Sequence, residues 1–155
     1  MFRRLLLLVP WFAALAVWAG PVPQWLQTAA QRPVTPPPDG ATVVVLLDEL
    51  VCTVRPDARY STRHRFAVRV LNRAGFDRAR GTVDYLEKSD SVKTAEAWLL
   101  RAGKEIRPPK RRDWIDIDDA APGAVVDQCR SRVVDYSDLV VDGDVFGIET
   151  EVDRR

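Results

Sequence analysis

Residues 63–71 read RHRFAVRVL, and their alternation decides the fold class. His64, Phe66, Val68 and Val70 share one parity; Arg63, Arg65, Ala67, Arg69 and Leu71 share the other. A period of two sets the aromatic ring and the valines on one face of a strand and three arginines on the opposite face. A helical period would mix the two sets. Upstream, Thr42 to Leu47 and Leu50 to Val54 read as strand, with Asp48-Glu49 between them predicting a bulge or a change of face. Arg55-Pro56-Asp57-Ala58 supplies a turn.

Downstream, Asn72-Arg73-Ala74-Gly75 ends the strand, and Gly81 to Leu86 opens another with Val83 and Tyr85 in register. Val92 to Leu100 alternates weakly and is read as strand, followed by a hairpin turn at Arg101-Ala102-Gly103-Lys104 and a return through Glu105 and Ile106. Pro108 to Gly123 is polar and carries Pro108, Pro109 and Pro122, so it is expected to be irregular. Arg132 to Tyr136 and Asp144 to Val152 resume the strand pattern around a turn at Asp142-Gly143-Asp144. Many short strands with no long helical period predict an all-β fold, an antiparallel sheet or β-sandwich.

The amino-terminal end has a different character. Arg3 and Arg4 precede an apolar run from Leu5, which breaks at Ala19-Gly20-Pro21. That order is the pattern of a secretory signal peptide, so residues 1–19 are expected to be a cleaved leader and the protein to be exported, to the periplasm or cell envelope. Leu5 to Ala19 is 15 residues, short of the roughly 20 a spanning helix needs, so no stable membrane span is expected after cleavage. Residues 20–41 read as a proline-rich linker with a short helix around Trp25 and Leu26, and the organised domain as 42–155.

The full chain has 23 basic and 22 acidic side chains, and loss of Arg3 and Arg4 leaves 21 against 22. That balance gives no pull towards nucleic acid. Cys52 and Cys129 would both be exported, where an oxidising compartment permits a disulfide between them; buried thiols are the other reading. His64 is the sole histidine, and Cys52 could face it across the hairpin, yet neither lies at a helix start or glycine elbow that would activate a thiol. No catalytic residue, and therefore no enzyme, is expected. Asp113, Asp116, Asp118 and Asp119 form the densest acidic cluster, but without a calcium-loop glycine and terminal glutamate they read as a solvated loop pinned by Trp114 and Ile117. No metal or cofactor is expected. Arg63, Arg65 and Arg69 form a candidate binding face for an acidic partner, or for phosphate or glycan groups; the other reading is a wet sheet exterior offset by Asp84, Glu87 or Asp90.

The order of these segments resembles the DUF3857 family. The resemblance rests on Val44 to Glu49, Arg59-Tyr60, Arg69 to Gly75, Val83 to Lys88, Val92 to Lys104 with its Gly103 turn, and Leu139 to Glu149 around Gly143-Asp144. It implies a β-rich domain of unassigned function, usually placed before a transglutaminase-like domain in exported bacterial proteins. No residue here matches the Cys, His and Asp of that second domain. At the first turn the family usually has Asp-Gly where this chain has Asp57-Ala58, so a differently shaped hairpin is expected, because alanine resists a positive φ. Relatives usually continue through further strands, so an incomplete sheet with an unpaired edge is expected here. The implied role is a non-catalytic exported domain for protein binding or scaffolding. Its partner would complete the sheet, and a transglutaminase-like protein is one candidate. The alternative is an accessory domain or fragment of a transglutaminase-like enzyme or peptidase system.

Overall fold

The alternating stretch lies in a hairpin of β1 (Val43–Val54) and β2 (Tyr60–Val70) in a computed structural model that describes residues 22–35, 37, 39–107, 111–118 and 129–155. The expected leader, residues 1–19, lies outside the described residues, as do Pro108, Pro109, Asp119 and Pro122. The fold is all-β, as expected. The remaining strands are β3 (Arg80–Leu86), β4 (Ser91–Arg101), β5 (Lys104–Arg107), β6 (Trp114–Asp118), β7 (Cys129–Asp135) and β8 (Val145–Arg154). A larger sheet runs β1-β2-β8-β4-β5 and a smaller one β3-β7-β6; every pairing is antiparallel.

Between the sheets lies the main core. Val68, Val70, Ala97, Leu99, Phe146, Ile148 and Val152 of the larger sheet meet Val83, Val134 and Trp114 of the smaller one. Tyr136 stands edge-on to Phe146 with ring centroids 5.9 Å apart. Gly81 lets the layers approach, since a Cβ there would lie 2.8 Å from an Ile148 methyl.

The outer face of the larger sheet has a second core, made by a helix. Residues 20–41, expected as a linker with a short helix around Trp25 and Leu26, contain α1 (Gln24–Gln31), which buries Leu26 and Ala29 against Ala67, Trp98, Leu100 and Val145. Eight residues are too few to hold a helix in water, so packing maintains it. Gly147 provides the seat: a Cβ there would fall 2.6 Å from Leu26 Cδ1. Trp25 Nε1 also donates to Glu149 Oε2 at 2.7 Å. The organised unit therefore starts before Thr42, the boundary expected from composition.

Three local features depart from expectation. The β1 bulge falls at Leu46, between Val45 and Leu47, and not at Asp48-Glu49. Ala58 adopts the glycine-like conformation after all, at φ +63°, in a turn where its N–H donates to the Arg55 carbonyl at 3.1 Å. Residues 114–118 form β6, not an irregular loop, with Trp114 buried and Ile115 and Ile117 facing solvent. The hairpin at Ala102-Gly103 appears as expected, with φ of +49° and +76° matching the twist of a two-residue turn.

Candidate functional site: an open groove beside an unpaired strand edge

The smaller sheet does not cover the whole inner face of the larger one. Rows of paired residues across β8, β2 and β1 show where coverage stops. In one row Phe146 and Val68 are buried, yet Val45 is 54% exposed. In another, Thr150 is 4% exposed and His64 half-buried, while Leu50 reaches 67%. Val54, on the same face, is 73% exposed. Paired residues share a face of the sheet, so this gradient places an apolar strip of β1 outside the sandwich. A groove of about 440 Å³ occupies the step. Its floor is Asp48, Leu50, Thr62, His64, Thr150 and Val152, and its wall is Thr82, Val83 and Asp84 of β3.

That wall is a strand edge with no partner strand among the described residues. Among the described residues β3 pairs with β7 alone. The Asp84 carbonyl accepts from Arg154 Nη2 at 3.0 Å, and the Leu86 N–H donates to Asp90 Oδ2 at 3.0 Å. At the other parity, the Ala79 carbonyl accepts the Tyr136 N–H at 2.9 Å, in line with the β7 ladder. Backbone groups alternate sides along an antiparallel strand, so Gly81, Val83 and Tyr85 bond to β7, and Thr82 and Asp84 point their N–H groups outward.

The groove also shows where the candidate chemical residues lie. His64 Nε2 and Asp48 Oδ1 are 2.8 Å apart on the floor. Cys52 pairs in register with Thr62, two rows beyond the Leu50–His64 row, and the imidazole turns the other way, towards Asp48. Cys52 and Cys129 are free and exposed, on β1 at the rim of the larger sheet and at the start of the central strand of the smaller one.

Arg63, Arg65 and Arg69 do share the outer face, but α1 and two acids occupy much of it. Arg65 bonds Glu149 at 3.1 Å, approaches Glu49 at 3.6 Å and lies over the Trp25 ring at 5.8 Å. Arg69 donates to the Ala30 carbonyl at the end of α1, and Arg63 Nε is buried. The offsetting acids are thus Glu49 and Glu149 from flanking strands; of the expected ones, Asp84 accepts from Ser131, Glu87 meets Arg130 and Asp90 meets Arg154. A cleft of about 580 Å³ remains between Trp25, Arg32, Leu47 and Arg65.

The acidic segment has a structural use. Asp116 accepts from Arg132 Nε at 2.8 Å and from the Tyr85 hydroxyl at 3.1 Å. The Arg132 bond holds the Asp116 carboxyl below its ordinary range, whereas burial and then Asp116 push the Tyr85 phenol up. Asp113 accepts from the Tyr136 hydroxyl. At the turn end of the sheet a smaller recess, about 270 Å³, gathers Arg55, Arg59, Lys88 and Lys93 around Asp153 and Asp90. The groove was missed in the sequence, where nothing in residues 80–86 shows which strand edge stays unpaired.

Three comparisons bear on the chain. The model of a family described as a domain of unknown function with a solved structure, DUF3857, matches residues 56–155. A crystal structure from Parabacteroides distasonis, named "a putative protease", is similar at a TM-score of 0.65 and 12% identity, a likeness of fold. The match covers 74% of this chain and 23% of that one, so this chain spans about a quarter of that protein's length. Curated proteins give no match.

Proposed function

This chain belongs to the DUF3857 family, and we propose that it is an exported, non-catalytic domain that binds or scaffolds a protein partner. The observation that carries this reading is the uncovered strip of β1: Val45, Leu50 and Val54 line one face beside an open groove. Apolar surface arranged in a row and rimmed by polar groups is what association with another polypeptide would bury. Export rests on the Arg3-Arg4 start and apolar run.

A second reading has one observation in its favour. In the Parabacteroides distasonis protein this fold makes up 23% of a chain named as a putative protease. By analogy the present chain would be an accessory domain in a transglutaminase-like or peptidase system, its partner being the catalytic polypeptide.

Both readings are tested by co-purification of the tagged, exported protein from its native envelope fraction, beside a Val45→Asp/Leu50→Asp/Val54→Asp variant. A stoichiometric partner held by the wild type and lost from the folded variant is the expected result. Equal retention by both would reject the strip as the binding surface. Turnover of peptide or ester substrates by the protein alone, abolished in Cys52→Ala, would reject the non-catalytic reading.

A further inference from the structure

We propose that the open edge of β3 takes up one extended strand of a partner polypeptide, which lies along the groove and completes the smaller sheet. The inference rests on the binding role proposed above and specifies how that role is carried out. Its first support is the backbone. Thr82 and Asp84 aim their N–H groups, and Thr82 its carbonyl as well, at the groove, where no described strand meets them. An added strand would satisfy them as it would in any ladder. β3 has seven residues, and with the Asp84 carbonyl and the Leu86 N–H already taken by Arg154 and Asp90 the open stretch runs from Arg80 to Asp84, about 16 Å, enough for a short strand.

The second support is the floor. A strand beside β3 would sit above β1 and the His64 end of β2, which reach past the smaller sheet. Its inward side chains would meet Leu50 and Val152, and apolar residues at every second position would remove the exposed strip from water. Its outward side chains would lie next to Asp84, whose carboxylate is on the outer face with Ser131. Arg154, the nearby cation, is held by Asp90 at 2.9 Å. A Lys or Arg beside Asp84 is therefore the matching residue, because opposite charges on neighbouring strands attract.

A second copy of this chain does not fit. Antiparallel pairing of two β3 edges needs a two-fold axis normal to the sheet. That operation would drive the projecting β1 and β2 of each copy into the larger sheet of the other. The occupant is a single strand of a different polypeptide, alternating apolar and polar, with a basic residue on its outward face.

The test uses the full exported chain and a displayed library of random peptides of about 12 residues, longer than the β3 edge. Selection is expected to enrich alternating apolar sequences with Lys or Arg at an outward position. The synthesised winner should slow hydrogen exchange at the Thr82 and Asp84 amides. Thr82→Pro, which removes an outward N–H and leaves the β7 ladder intact, should weaken binding about ten-fold or more. Thr82→Ala, which keeps that N–H, should bind within about two-fold of wild type, and unchanged amide protection along β7 shows that Thr82→Pro is folded. Asp84→Lys should switch the outward preference to Asp or Glu. No enrichment, equal binding by Thr82→Pro, or a Thr82 amide already protected before peptide is added would each overturn the strand-docking inference. If the envelope partner is captured equally by wild type and Thr82→Pro, the binding role survives and this mode of it fails; if wild type captures none, the role itself fails.

Discussion

Substitution of Leu26 tests whether the short amino-terminal helix belongs to the folded unit. Leu26 is wholly buried, and its floor is the bare backbone of Gly147. In Leu26→Ala the cavity is bordered by sheet backbone that cannot move inward, so the cost falls in the upper part of the large-to-small range, about 3–5 kcal/mol. Gly147→Ala alone forces its new methyl against Leu26 and should cost about 1–3 kcal/mol. Combined, the methyl enters space that Leu26 has left. The double variant should therefore be more stable than the two single losses predict, by about 1–2 kcal/mol. Urea unfolding of all four proteins, with slopes compared, measures the cycle. Additive losses, or a Leu26→Ala cost under about 1 kcal/mol, would refute the packing of α1 on Gly147.

Ala58 holds a left-handed conformation at φ +63°, so Ala58→Gly should raise stability by about 0.5–1 kcal/mol in thermal or urea melts despite glycine's larger chain entropy. Glu96 is paired directly across from Glu149, and burial, then that charge, push its carboxyl up. The folded state thus holds this proton more tightly than the unfolded chain, and the site's support for folding is lost as pH rises through the raised value. Glu96→Gln should stabilise the protein at neutral pH by about 0.5 kcal/mol and flatten that decline, read from melts across the acidic-to-neutral range. Cys52 and Cys129 should both react with a maleimide in the native protein, and the mass should not change on reduction; a single slow thiol or a shift of two hydrogens on reduction would contradict their free, exposed state.

Much of the fold was legible where side-chain parity is strict. His64 to Val70 alternates cleanly and lies in β2, paired with β1 on one side and β8 on the other. β6 was not read as a strand because its polar positions, Asp116 and Asp118, resemble loop residues among prolines; the Trp-Ile-Asp-Ile-Asp alternation was the signal available. Electrostatic partners were the least legible. Arg65 meets Glu149 because β8 inserts between β2 and β4, a crossover that local pattern does not encode. The groove was hidden for the same reason, since an overhang exists only once the two sheets are stacked. The last strand, β8, does not lie at an edge but between β2 and β4, and the edge that borders the groove is β3 of the other sheet.

Amide hydrogen exchange along β3 in the free protein tests the open edge most directly. An open edge gives alternation: slow exchange at Gly81, Val83 and Tyr85, which bond to β7, and fast exchange at Thr82 and Asp84, which face the groove. Equal protection at all five amides would contradict it, because the edge would then already be paired.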